Sequence, residues 1–212
     1  MTGAAAVLLA LTLVVAVADW IAVGLHNKPL EYVAKPATMA VLIAATVALD
    51  PVDPTARAWF VAALAFGLLG DVFLMLPNQE KLFVGGLGSF LVGHLCYVIG
   101  MLVAGVSSGG LLVGFVLVVV SLATLGRHIV RGVQDGHPEL VVPVMAYVGV
   151  ISAMVVAAFG RVSAPAIVGA LLFYASDALI AFNRFLDSRP WMPMAIIVTY
   201  HLGQVGLVLS LV

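Results

Sequence analysis

RAWFVAALAFGLLGDVFLML, residues 57–76, holds a single charge beyond its first residue, and that charge is Asp71. Twenty helical residues rise about 30 Å, the thickness of a bilayer's hydrocarbon core. The stretch therefore reads as a membrane-crossing helix with a carboxylate inside it. An ionisable group at that depth costs about 2.5 kcal/mol or more unless it is neutral or paired, so it marks a partner, a cavity or a reaction. The bland reading is a satisfied interhelical hydrogen bond.

Two more runs share the feature. VAVADW places Asp19 near the end of the first apolar run, and LLFYASDALIAF places Asp177 in the seventh. Trp20 beside Asp19 suggests a position nearer the membrane interface for that acid, where tryptophan is enriched.

The rest of the chain agrees with a membrane environment. Of 212 residues, 64% are hydrophobic and 9% charged, and the mean hydropathy is +1.22. A soluble domain has about 25% charged residues, so this chain lacks the polar surface to cover itself in water. The net charge of -1 and the absence of a basic run argue against a nucleic-acid partner. Cys96 is the only cysteine, which excludes an intrachain disulfide, and it reads as a packing residue. The N-terminal run lacks the basic n-region of a signal peptide and reads as a first spanning helix.

Eight spanning runs are expected, at residues 4–25, 36–50, 57–76, 83–104, 109–126, 140–160, 164–184 and 193–212. The predicted fold is an all-α, polytopic bundle forming one integral membrane domain over residues 1–212. The odd-numbered connectors hold Lys28, Lys35, Lys81, Arg127, Arg131, Arg184 and Arg189, against Arg57 and Arg161 in the even ones. The positive-inside rule then places the odd connectors in the cytoplasm and both termini outside the inner (cell) membrane. In that orientation Asp19 precedes His26 by seven residues, Asp71 precedes Pro77 by six and Asp177 precedes Arg184 by seven. All three acids then lie ~10 Å inside the cytoplasmic boundary, the level of a shared polar site.

The two halves also resemble each other. LGDVFLML (69–76) pairs with ASDALIAF (175–182), and HLCYVIGML (94–102) with HLGQVGLVL (201–209). Asp71 to His94 is 23 residues and Asp177 to His201 is 24. These offsets suit two parallel repeats of four helices.

Helical spacing groups the polar residues. Gly67, Gly70, Asp71 and Leu74 share a face of the third run, where the glycines admit a close neighbour or ligand. Phe173, Asp177 and Ile180 share one of the seventh, with Ser176 and Tyr174 beside them. His94 and Tyr97 stand at i, i+3 in the fourth run, His201 and Gln204 at i, i+3 in the eighth next to Tyr200, and the sixth adds Tyr147. Lys35–Pro36 opens the second run, where proline is tolerated in a first turn. Lys35 reads either as a snorkelling lysine or as a cation for a phosphate or an acid. No GxSxG, HExxH, Walker or dinucleotide motif occurs. Neither a cofactor nor a metal is expected.

KPATM (35–39), GLLGDVFLML (67–76), FLVGHLCY (90–97), GALLFYASDALIAFNRF (169–185) and YHLGQ (200–204) resemble the YhhN-like membrane proteins, a family that includes lysoplasmalogenases. The resemblance implies eight spanning helices and hydrolysis of the vinyl ether bond of a 1-alkenyl lysophospholipid, giving a fatty aldehyde and a glycerophospho-base. It carries the family's acidic motifs onto Asp71 and Asp177 and its Lys-Pro segment onto Lys35 and Pro36. That chemistry needs a protonated acid for the alkene carbon and an ionised carboxylate to stabilise the resulting cation, and two nearby carboxyls in a low-dielectric site divide those roles. Asp71 and Asp177 are the expected catalytic pair, with neither assigned as the acid. Lys35 is expected to hold the lipid phosphate, and His94, Tyr97 and Gln204 to orient water. Asp19, Tyr147, Ser176, Tyr200 and His201 complete the expected substrate site.

Two other readings use the same acids. A proton-coupled transporter fits intramembrane acids and a repeat, and would place polar groups through both halves of the membrane. An intramembrane aspartyl protease fits GLLGD and YASD less well, since their order is reversed and 106 residues separate them.

Overall fold

The computed structural model describes residues 1–76 and 79–212, with side chains for all of these except 79–81. Pro77 and the side chain of Lys81, used above for depth and orientation, lie outside the described residues. Among the described residues nine α-helices follow in order: α1 Gly3–Gly24, α2 Lys28–Ala48, α3 Pro54–Met75, α4 Gln79–Val103, α5 Ser108–Ser121, α6 Arg127–Gly136, α7 Val141–Gly160, α8 Ala164–Phe185 and α9 Met192–Leu209. A π-helical turn, Leu122–Gly126, joins α5 to α6 without a break, so Ser108–Gly136 forms one span. Eight spans among the described residues are long and apolar enough to cross a membrane.

Local chemistry starts these helices where they start. Asn27 accepts from the Leu30 amide at 3.2 Å. Asp53 accepts from the Thr55 and Ala56 amides at 2.7 and 3.0 Å. Both helices carry proline in the first turn, where no amide donor is needed.

Two expected boundaries are corrected. The second span begins at Lys28, not 36, so Pro36 lies inside α2 instead of opening it. The Asn27 cap and Pro29 start the helix two turns early, and Pro36 then leaves the Tyr32 carbonyl without its helical donor. The stretch 127–136, expected as a connector, is α6. Its Ile129 and Val133 are buried against Val144, Phe182 and Phe185, while Arg127 and Arg131 face outward. A helix with one apolar stripe has a low average hydropathy, which hides it from a spanning-length reading.

Neighbouring spans pair as α1 with α2, α3 with α4, α5 with α7, and α8 with α9. α2–α3, α4–α7 and α7–α8 join the pairs, and α1 against α9 closes the ring. α8 and α9 meet backbone to backbone. A Cβ on Gly169 would stand 2.5 Å from the Leu207 amide nitrogen, and one on Gly203 2.8 Å from that of Phe173. Glycine is required there because backbone meets backbone.

The two ends of the bundle differ in charge. Arg57 donates to the Leu49 carbonyl at 2.8 Å, and Arg161 to the Gly105 carbonyl at 2.6 Å and the Ala104 carbonyl. Both cations of that end therefore satisfy free carbonyls beyond helix C-termini. Lys28, Arg131, Arg184 and Arg189 lie at the opposite end, called the basic end below.

Candidate active site

Two carboxyl centres stand in the basic half of the bundle. Asp71, on α3, is 2% exposed. Its Oδ1 lies 3.2 Å from Lys35 Nζ on α2, and its Oδ2 accepts from the Tyr200 hydroxyl on α9 at 2.7 Å. Three elements thus converge on one carboxyl group, and one of them brings a cation to it. The early start of α2 makes this possible, because it sets Lys35 two turns inside the helix instead of at its mouth.

Asp177, on α8, has a different shell. Its side chain is 12% exposed, and His94 Nε2 on α4 lies 3.8 Å from its Oδ2. The Tyr147 hydroxyl on α7 donates to the same oxygen. His94 Nδ1 stands 2.6 Å from the Phe90 carbonyl. A carbonyl only accepts, so Nδ1 carries the hydrogen, and in the neutral ring Nε2 turns a lone pair toward Asp177.

An aromatic wall lies between the two centres. Phe90 meets Phe173 and Tyr200 edge-on at centroid distances of 6.3 and 5.9 Å, and Phe173 meets Tyr200 at 5.3 Å. His94 packs on Phe173 at 4.7 Å. Phe90 was not among the expected site residues. Its signal was its place one turn before His94 on the same face.

Two cavities serve these centres. An apolar groove runs between α4, the π turn, α6, α7 and α8, and Asp177 and Tyr147 reach its wall. A larger polar basin of about 410 Å³ opens at the basic end, lined by Lys28, Lys35, His26, Glu31, Asn183 and Arg184 among others. Leu74, Phe83 and Ile180 line both cavities, so groove and basin adjoin. The Arg184 guanidinium lies over the Phe83 ring, 3.8 Å from its centroid, at this junction.

The other expected residues stand behind these walls. Tyr97 donates to Gln204 Oε1, tying α4 to α9 in the buried core. Ser176 lines neither cavity. It is fully buried and donates to the Ile196 carbonyl at 3.0 Å, joining α8 to α9. Trp20 turns toward α9. Its indole N–H donates to His201 Nδ1 at 3.1 Å, inside the bundle. That bond leaves the ring hydrogen of His201 on Nε2, which has no hydrogen-bond partner among the described residues. Asp19 is fully buried, and neither of its oxygens has such a partner among them. Among the described residues no group of three or more metal-ligating side chains stands together.

The arrangement offers one carboxylate held by a cation and one carboxyl presented to an apolar groove. It suits an amphipathic molecule with a hydrocarbon part and an anionic part.

The chain is 34% identical over 174 residues to a lysoplasmalogenase of Mycobacterium tuberculosis, covering 80% of this chain and 66% of that protein. It is 30% identical over 148 residues to human lysoplasmalogenase TMEM86B, covering 70% of this chain and 61% of the relative. The chain thus spans just under two thirds of the length of the curated relatives it matches. No solved structure matches. The YhhN family model matches residues 30–211, from the first turn of α2 to beyond the end of α9, and the chain belongs to the YhhN family.

Proposed function

We propose that this protein hydrolyses the vinyl ether bond of a 1-alkenyl lysophospholipid, releasing a fatty aldehyde and a glycerophospho-base. One observation carries the reading: Asp177 lines an apolar groove one helical turn from Ile180, where that groove adjoins a basin lined by cations. A lysophospholipid has its reactive bond at the same kind of boundary, between hydrocarbon and phosphate. The relatives named lysoplasmalogenase support the substrate class.

The shells divide the two roles. Asp71 pairs with Lys35 and serves as the ionised member. Asp177 is the acid. Its proton passes to the outer alkene carbon as the π bond breaks, leaving an oxocarbenium ion. Water adds to the carbon bearing the ether oxygen and returns a proton to Asp177. The hemiacetal then collapses, its hydroxyl proton moving to the departing glycerol oxygen. Tyr147 fixes the Asp177 carboxyl against the groove. The negative charge of Asp71 favours the cation formed in this poorly solvated interior. Lys35, which lines the basin, takes the phosphate. The basin faces the cytoplasm in the orientation set by the basic end.

The cavities also weigh against transport. The large basin opens at the basic end, while the cavity at the opposite end, between Asp53, Phe60, Met101 and Arg161, holds only about 30 Å³.

The test is aldehyde release from a synthetic lysoplasmalogen by purified protein in detergent, with the matched acyl ester as control. Wild type is expected to release aldehyde. Asp177→Asn keeps size and loses the proton, and turnover should fall about 10²–10⁴-fold. Asp71→Asn should also lose turnover, with lipid binding much less affected. Near-normal turnover in Asp177→Asn would remove it as the acid. Wild-type protein that binds the lipid without releasing aldehyde would overturn the reaction.

A further inference from the structure

We infer that the apolar groove bounded by α4, the π turn, α7 and α8 seats the substrate's hydrocarbon chain, with the wall of α5, the π turn and α6 moving aside to admit it. The inference rests on the lysophospholipid reading above and adds where the chain lies and which element yields.

The groove is chemically one-sided. Its polar side chains are Asp177, Tyr147 and Tyr174, and the rest of the lining is aliphatic, aromatic or glycine. Along α8 it runs from Tyr174 to Phe185, about 16 Å at 1.5 Å per residue. Through Leu74, Phe83 and Ile180 it continues into the basin. A molecule with its anionic part beside Lys35 therefore has one apolar place for its chain, and that place brings the first chain carbons to Asp177.

The groove is narrow as it stands, with a volume of about 80 Å³, so one wall must yield. The span Ser108–Gly136 is the least embedded, with 11% of its core window buried against 28–44% in the others. It also contains the π turn, whose Leu122, Leu125 and Gly126 line the groove. A π turn breaks the regular hydrogen-bond ladder and often accompanies function. A side-chain bond between Ser121 Oγ and the Tyr174 hydroxyl, 3.1 Å apart, fastens the π-turn end of this wall to α8.

Gly126 sets the width. A Cβ placed there meets only the Leu122 side chain, at 3.3 Å from Cδ2. A shift of a few tenths of an ångström in that flexible side chain admits a larger residue, which then fills the groove.

The probe is a 1-O-alkyl lysophospholipid, which lacks the reactive double bond, with a diazirine on a chain carbon close to the ether. Photolysis with the full chain in detergent is expected to label the π turn, α6 or the facing side of α7, between Val144 and Ile151. Unlabelled 1-O-alkyl lysophospholipid should compete the label away, whereas inorganic phosphate should not. Gly126→Leu should reduce competable labelling at least tenfold, and Gly126→Ala should retain it. Label confined to outward residues such as Val113, Val116 and Val120, and indifferent to competitor, would overturn the inference. So would unchanged labelling in Gly126→Leu. The probe is not hydrolysed, so the two readings fail separately. Competable groove labelling without aldehyde release from lysoplasmalogen upholds the seat and sinks the hydrolase. Aldehyde release without groove labelling does the reverse.

Discussion

Lys35 and Asp71 are worth more together than either is apart. Their groups lie 3.2 Å apart with side chains 16% and 2% exposed. Removing one partner of a buried pair leaves the other as an uncompensated charge, typically at about 3–5 kcal/mol. Lys35→Met is therefore expected to lower stability in detergent by an amount of that order, read as a fall in the melting temperature. The double variant Lys35→Met, Asp71→Leu should recover much of the loss, because no lone charge remains. A single variant as stable as the wild type would show that the ammonium does not hold Asp71. At this scale the sequence made the acids and Lys35 legible, since each is a charge in an apolar run. It did not reveal that Ser176 ties α8 to α9 or that Trp20 binds His201. A hydroxyl or an indole looks alike in sequence whether it faces a substrate or a neighbouring carbonyl.

The pairing of α8 with α9 controls the site at the level of elements. α8 carries Asp177 and α9 carries Tyr200, the hydrogen-bond donor to Asp71. Their separation is fixed by Gly169, Gly203 and Gly206, where added Cβ atoms would meet backbone atoms at 2.5 to 2.8 Å. Gly169→Ala should push the helices apart, lowering both the melting temperature and aldehyde release. Gly149→Ala, at a position with nothing within 4 Å of the new Cβ, is the matched control and should cost nothing. Equal behaviour of the two variants would refute the role given to the seam. The sequence displayed these glycines without ranking them, because close approach depends on which helix lies opposite. It likewise missed α6 and the true start of α2, whose mixed faces average to the hydropathy of a connector.

Across the whole molecule, charge separates the two ends. Arg57 and Arg161, the two cations counted against the proposed orientation, both bind carbonyls beyond helix ends, so they have a structural reason to be where they are. With Cys96 replaced by alanine, a cysteine at Ser188 should be labelled by a membrane-impermeant maleimide only after the cytoplasmic side is opened. A cysteine at Ser107 should be labelled in intact cells. The reverse pattern would invert the bundle and turn the basin to the outside.

Eight apolar runs, three interrupting acids and an uneven distribution of Lys and Arg determined the class of protein by themselves. Each is a property of composition along a window, and the bilayer enforces it locally. Every spanning segment must satisfy its own backbone, whatever lies beside it. The tertiary structure alone decided the difference between the two catalytic candidates. Asp71 and Tyr200 are 129 positions apart, and Tyr147 and Asp177 are 30 apart. Which acid meets the cation and which meets the groove depends on how each helix is rotated about its axis and what packs against it. Both acids sit in similar motifs, so the sequence presents them as equivalents. Lys35 on one side and an apolar groove on the other make them different.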